Sequence, residues 1–304
     1  PPPPPTPPTP RLDSSAASDV YKRQEYDHAD LYPDPESLLA AYEQYVALPP
    51  EDGLVVACGD SREVRKVAEK ANCPVIFYGL EDHNDLHPVG PVSTGPDGSH
   101  FTVRDAEAGD VEIHLPMTGL HNVCNLLAVW AVARRDGLEP RAVADAFARF
   151  EGIKRRLEVV GSHAGITIID DFAHHPTAVG KTIAALREQF PERRIVVAFE
   201  PRSLTAGRSF FYQPYLESFS KADRIFVAPI FHAQRLSAEE RLDLEGLAAE
   251  LTGMGVVTTR TESNDELLKK VLDELRDGDV LVTMSSGKFD DLPRRILADL
   301  QGRD

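Results

Sequence analysis

The sequence predicts an α/β fold in two parts, and three observations carry that expectation. Short β-branched and apolar runs (Leu54–Cys58, Val75–Tyr78, Ile166–Ile169, Arg194–Phe199, Val280–Met284) alternate with longer stretches of helical period. Such alternation favours a mainly parallel sheet with right-handed crossovers. The 304 residues are 42% apolar and 27% charged, enough for two cores of ordinary size. The alternation restarts after a short basic stretch at Gly152, which places the division between two domains there. The expected organisation is a leader over residues 1–24, a first domain over 25–151 and a Rossmann-like second domain over 152–304.

The elements follow in order. Pro1–Gln24 is proline-crowded and then poor in large apolar residues, so it is read as a non-native leader outside the fold, its Ser14–Gln24 stretch resembling translated adapter sequence. On that reading the natural protein continues upstream and the chain is a fragment. Helices are expected at Asp34–Val46 and Arg62–Ala71, around the strands Leu54–Cys58 and Val75–Tyr78. Turn residues such as Pro96-Asp97-Gly98 and Gly109-Asp110 predict an antiparallel hairpin at a sheet edge between Pro91 and Leu115. Asn122–Arg134 is apolar nearly all round, which predicts a deeply buried helix, and Pro140–Phe150 gives another. The second domain should contain strands at Ile166–Ile169, Arg194–Phe199, Arg224–Pro229, Gly255–Thr258 and Val280–Met284, with a helix at Pro176–Glu188 and others between and after them. In such sheets ligands collect at the carboxyl ends of strands, so the residues just after each strand matter most.

A formal net charge of −16 argues against nucleic-acid binding, which rests on neutralising phosphates with Lys and Arg. The scattered Cys58, Cys73 and Cys124 lack metal-ligand spacing and fit reduced thiols of a cytoplasmic protein. No apolar run approaches the ~20 residues needed to span a bilayer. The sequence sets no oligomeric state.

Five stretches carry candidate chemistry. Gly119-Leu120-His121-Asn122-Val123-Cys124-Asn125 is a glycine turn entering a helix. Its two amides offer donor and acceptor together, which suits an adenine edge or a helix cap. Lys154-Arg155-Arg156 at the domain junction presents planar forks for phosphate or ribose oxygens, or a solvated linker. Asp170-Asp171-Phe172-Ala173-His174-His175-Pro176 brings carboxylates and imidazoles to a strand end, with Pro176 opening a helix. Glu200-Pro201-Arg202-Ser203-Leu204-Thr205 and Ser285-Ser286-Gly287-Lys288 also follow strands, and each fits either an anion-binding loop or a plain turn. Gly180-Lys181-Thr182 imitates the end of a P-loop. The earlier glycine of G-x-x-x-x-G-K-[ST] is here His175, however, and the following Pro176 removes a donor, so it is rejected, and no other stretch supplies a P-loop.

In this order the motifs resemble the Mur ligase family. Gly119–Asn125 is similar to its G-x-H-N-x-x-N motif, Arg156 to its linker arginine and Asp171–Pro176 to its D-[FY]-[AG]-H-x-P motif. Glu25–Asp30 resembles the segment whose histidine helps hold magnesium. The resemblance implies a partial central ATPase domain with an incomplete sheet, followed by the family's C-terminal domain. It implies ATP and Mg²⁺ as cofactors, and a mechanism in which a carboxylate is activated as an acyl phosphate and then captured by an amine. His121, Asn122, Asn125, Arg155, Arg156 and Asp171 would then serve ATP, and His28 a magnesium. Arg202, Ser203, Thr205, Ser285 and Lys288 would lie near the second substrate, and His174 and His175 would belong to the catalytic site without an assigned step. The double histidine before Pro176 points to the branch acting on UDP-N-acetylmuramate itself, and the E-P-R-S and M-S-S-G-x-F stretches resemble the ligase joining the murein tripeptide L-alanyl-γ-D-glutamyl-meso-diaminopimelate to it. Leu204 and the run Lys288–Asp291 depart from that branch. The alternatives are the ligase adding L-alanine to the same nucleotide, or a non-catalytic nucleotide- or peptide-binding module. Without a P-loop, the chain alone is expected to be inactive.

Overall fold

The computed structural model describes residues 31, 32 and 34–302. The leader and His28 lie outside them. The first helix, α1 (Pro35–Val46), starts where its sequence provides a cap: the Asp34 carboxylate accepts from Ser37 N at 2.7 Å, and Pro35 takes the first turn, where a missing N–H costs nothing. Strands β1 (Val55–Cys58) and β2 (Val75–Tyr78) pair in parallel, and α2 (Arg62–Ala68), capped by Ser61, connects them.

Where one edge hairpin was expected, three strands form a sheet of their own: β3 (Ser93–Gly95), β4 (Gly98–Asp105) and β5 (Gly109–Leu115), antiparallel in that order. The inward residues of this sheet, Phe101, Val103, Ile113 and Leu115, pack with one face of α3 (Leu120–Arg135), formed by Val123, Leu126, Leu127 and Trp130. Burial of α3 all round does not hold. Val129 and Val132 are each 49% exposed, so the helix buries one face only. Helix α4 (Pro140–Ala148) completes this part.

The second part is a six-stranded sheet in the order β10-β9-β8-β11-β7-β6. Strands β7 (Ile166–Asp171), β8 (Ile195–Phe199), β9 (Arg224–Val227), β10 (Val257–Arg260) and β11 (Val280–Met284) run in parallel, and β6 (Glu158–His163) lies antiparallel on β7 at the edge. Successive side chains point to opposite faces. Ile169, Val197, Phe199, Ile225, Val282 and Met284 pack with α5 (Pro176–Gln189), α6 (Tyr212–Phe219) and α7 (Leu244–Gly253). Ile168, Val196, Ala198, Phe226 and Leu281 pack on the other side with α8 (Asn264–Glu274) and α9 (Leu292–Gln301). Helices on both faces of a parallel sheet make this a doubly wound unit.

Strand β6 has no counterpart among the expected strands. Its residues are half-buried or exposed, and a register shift between Val159 and Gly161 breaks the alternation that marks a strand. The two parts meet through α5. The Thr94 hydroxyl donates to Glu188 at 2.6 Å, and the backbone of Gly119 lies against Ala185. Among the described residues no helix is long and apolar enough to cross a membrane.

Leu186 is fully buried between α5 and the sheet. Leu186→Ala should destabilise the second unit by about 2–5 kcal/mol, read as a lower urea midpoint at unchanged m-value.

Candidate functional site

The register of the sheet decides which loops meet. Met284 at the end of β11 lies beside Asp171 of β7 on one side and Phe199 of β8 on the other. The loops that follow these three strands therefore share one corner of the sheet. They carry Asp171–His175, Glu200–Thr205 and Ser285–Lys288, and the linker before β6 folds over them.

Asp171 anchors the corner. It is only 4% exposed, and its oxygens accept from Leu157 N at 2.8 Å, Ala173 N at 2.8 Å and the Thr182 hydroxyl at 3.1 Å. Burial pushes its carboxyl above the ordinary carboxylate range. The Ala173 and Leu157 amides, the Thr182 hydroxyl and the nearby Arg156 charge pull the other way. Its neighbour Asp170 accepts from Thr283 at 3.2 Å and pairs with Arg155 at 3.4 Å, and burial raises its carboxyl too, against the pull of Arg155 and Thr283.

The linker makes a tight turn in which Arg156 N donates to Ile153 O at 3.1 Å, and Arg155 and Leu157 adopt positive φ of 59° and 53°. Arg155 works inside the protein. Its guanidinium donates to the carbonyl of Ser285 at 2.6 Å and to that of Gly287, and lies over the Phe172 ring. Arg156 is exposed and sits 5.3 Å from the centroid of the same ring.

His174 Nδ1 donates to Phe172 O at 3.0 Å, because a carbonyl only accepts. In the neutral ring the lone pair therefore sits on Nε2. Its own carbonyl accepts from Tyr215 Oη at 2.6 Å. His175 caps α5, with Nδ1 accepting from Thr177 N at 3.4 Å and its ring edge-on to Phe211.

On the β8 side, Glu200 is 1% exposed and accepts from Ser285 Oγ at 2.5 Å, and Arg202 approaches it at 3.5 Å. Ser285 Oγ in turn accepts from Gly287 N at 2.9 Å. Ser203 caps its own turn by accepting from Ala206 N, Thr205 is buried, and Lys288 stands exposed at the rim. Glu200, Asp170 and Phe172 stood in the candidate stretches without an assigned role. A carboxylate or ring following a strand was the available signal, but the partners that make them important stand far away in sequence.

The amides of α3 form a second cluster. Asn125 Nδ2 donates to Asn122 Oδ1 at 3.4 Å, Asn122 Nδ2 to Thr118 O at 2.8 Å, and Thr118 Oγ1 to Gly95 O at 3.1 Å. Among the described residues Asn125 Oδ1 is buried without a hydrogen-bond partner. Unmade acceptors in a buried place are costly, so this oxygen fits a ligand donor such as an adenine amino group. The ring of His121 lies against Gly119, where a β-carbon would come within 2.8 Å of it and the φ of +98° also excludes one. Gly180 lies within α5 and Thr182 serves Asp171, so this glycine-lysine-threonine run does not open a helix toward a phosphate. Among the described residues no three His, Cys, Asp or Glu side chains are grouped to hold a metal ion.

A doubly wound unit with candidate polar groups at one corner is thus joined to a second α/β unit that carries an unsatisfied buried amide oxygen. The chain belongs to the Mur ligase family: residues 23–133 match the Mur ligase middle domain, and residues 155–287 match the Mur ligase, glutamate ligase domain. Among its relatives, the UDP-N-acetylmuramate–L-alanine ligase of Psychrobacter cryohalolentis is 33% identical over 266 residues, covering 86% of this chain and 55% of that protein. The crystal structure of the UDP-N-acetylmuramate–alanine ligase of Thermotoga maritima overlays with a TM-score of 0.72 at 20% identity, over 91% of this chain and 58% of that one. A murein peptide ligase from Psychrobacter arcticus overlays at 0.65 with 25% identity, over 91% and 56%. The chain thus spans little more than half the length of these relatives.

These matches correct the expected branch, and with it the murein tripeptide as substrate and partner. Relatives at 30–34% identity carry the L-alanine-adding name. The reason is physical. The E-P-R-S and M-S-S-G stretches that suggested the tripeptide are set by local packing, since Glu200 and Ser285 hold one another and Gly287 leaves room for Arg202. Those needs do not report the size of a substrate.

The raised carboxyls give a sign for pH dependence. A folded value above the unfolded 3.8 means the folded state holds the proton more tightly. That stability is full below the unfolded value and lost as pH rises through the folded one. Asp170→Asn removes one such group. The stability of the parent relative to this variant should fall as pH rises from about 4, as followed by urea unfolding at successive pH values.

Proposed function

We propose that the protein carrying this chain is an ATP-dependent ligase that joins L-alanine to UDP-N-acetylmuramate. The similarity to L-alanine-adding ligases along both units carries this reading. The carboxylate of the muramyl group attacks the γ-phosphate of ATP, releasing ADP and leaving an acyl phosphate. The amine of L-alanine then attacks that carbonyl and expels inorganic phosphate. Mg²⁺, when bound, supplies neutralisation of phosphate charge, and His28 is the residue of this chain proposed to contribute to its site.

The chain's own residues position and neutralise. Asn125 offers its buried acceptor to adenine, beside Asn122 and His121. Asp171 fixes the linker so that Arg156 projects its charge, Arg155 braces the loop after β11, and Arg202, Ser203, Thr205, Ser285 and Lys288 form the amino-acid side. His174 and His175 close the corner between them. The work belongs in the cytoplasm, where ATP and the nucleotide sugar are available.

The test is phosphate release from ATP by the protein that carries this chain. Release should require UDP-N-acetylmuramate and L-alanine together, and replacing L-alanine by the tripeptide should leave little. Release that ignores L-alanine would sink the reading. Asn125→Ala should weaken ATP binding by about tenfold in calorimetry, the scale of one lost buried hydrogen bond.

A further inference from the structure

The buried acceptor of Asn125 is one end of a hydrogen-bonded chain that begins in the other unit. Asn125 Nδ2 donates to Asn122 Oδ1, and Asn122 Nδ2 donates to the carbonyl of Thr118 at 2.8 Å. Each step fixes an orientation. A carbonyl only accepts, so Asn122 must turn its nitrogen to Thr118 and its oxygen to Asn125. Asn125 must then spend its own nitrogen on Asn122, which leaves Oδ1 as the atom buried without a partner among the described residues.

Thr118 is 3% exposed, and its hydroxyl donates at 3.1 Å to the carbonyl of Gly95, the last residue of β3. Strand β3 is three residues long, lies at the edge of its sheet and pairs with β4. Its residue Thr94 carries the next link. The Thr94 hydroxyl donates to the Glu188 carboxylate of α5 at 2.6 Å, the short distance of a charge-assisted bond. Glu188 stands three positions after Ala185, on the same face of α5. That face brackets Thr118. Ala185 lies against Gly119 on one side, and on the other Glu188 holds Thr94, next to the Gly95 that receives the Thr118 hydroxyl.

We propose that Thr94 and Glu188 are positioning residues for the nucleotide, which orient the Asn125 amide by holding β3 where it receives the Thr118 hydroxyl. The tie makes adenine binding in the first unit depend on the seating of α5 from the second. This rests on the adenine role given to Asn125 above.

The experiment is calorimetric titration of the full protein with a non-hydrolysable ATP analogue. Thr94→Val keeps the β-branched shape, loses the donor and should weaken binding about fivefold, the scale of one lost hydrogen bond. Glu188→Ala, at an exposed helix position where folding is not at risk, should do the same. Thr94→Ser keeps the hydroxyl and should bind as the parent does. A purely structural tie is separated by the double variant of Thr94→Val with Asn125→Ala. Once the Asn125 oxygen is gone its orientation no longer counts, so the double variant should bind no more weakly than Asn125→Ala alone. Parental affinity in either Thr94→Val or Glu188→Ala, or losses that add in the double variant, overturns the proposal while the adenine reading stands. Parental affinity in Asn125→Ala overturns that reading, and this proposal with it.

Discussion

A carboxylate taken out of water is stable in a fold only when donors surround it, and in this chain the arrangement around Asp171 sets the positions of most other candidate groups. Its three donors come from three elements: Leu157 from the linker, Ala173 from the loop after β7, and Thr182 from α5. Each must stay in place or leave a buried charge short of a partner. The linker is pinned a second time where Phe172 N donates to Arg155 O at 2.8 Å. Two positive-φ residues, Arg155 and Leu157, are tolerated in that turn because these bonds over-determine it.

With the linker fixed, its two arginines are separated by function. Arg155 turns inward to Asp170 and the loop after β11, and Arg156 remains outside on Phe172. The loop from Ser285 to Gly287 is then gripped from both flanks. Arg155 holds its carbonyls, while Glu200 holds the Ser285 hydroxyl. One three-residue loop thereby joins the linker to the loop after β8, and Arg155 cannot move far without disturbing it.

Much of the fold was legible because its strands are short apolar runs between well-marked helices. Val75–Tyr78 and Val280–Met284 have the expected bounds, and Pro35 and Pro176 mark helix starts by local rules. Strand β6 was not legible, since an edge strand needs only half its residues buried and a register shift removes the remaining period. The apolar composition of α3 misled for a related reason: composition does not say which valines face a partner, and Val129 and Val132 face outward. At the site, residues following strands could be picked out one by one, but their partnerships could not. Glu200 and Ser285 are 85 positions apart and meet only because β8 and β11 are neighbours, an ordering that local sequence does not encode. The same limit produced the wrong branch, because loop strings shaped by internal packing were read as marks of a substrate.

The α3 amides and the strand-end corner look like separate sites, but α5 connects them closely. Thr182 donates to Asp171, and Ala185, three positions later on the same helical face, carries the methyl against which Gly119 packs. The two contacts are separated by about 4.5 Å along the helix, less than one turn. A displacement of α5 by a side chain at position 119 would therefore be felt at the Thr182 bond, in the support of Asp171 and so in the linker. Gly119 is required for its backbone angle and for the His121 ring beside it, and also because the helix it touches carries one of the three donors that keep the buried carboxylate in place. The α3 amide cluster and the strand-end corner are thus braced through the same turn of α5, which gives the two units a common rigid reference.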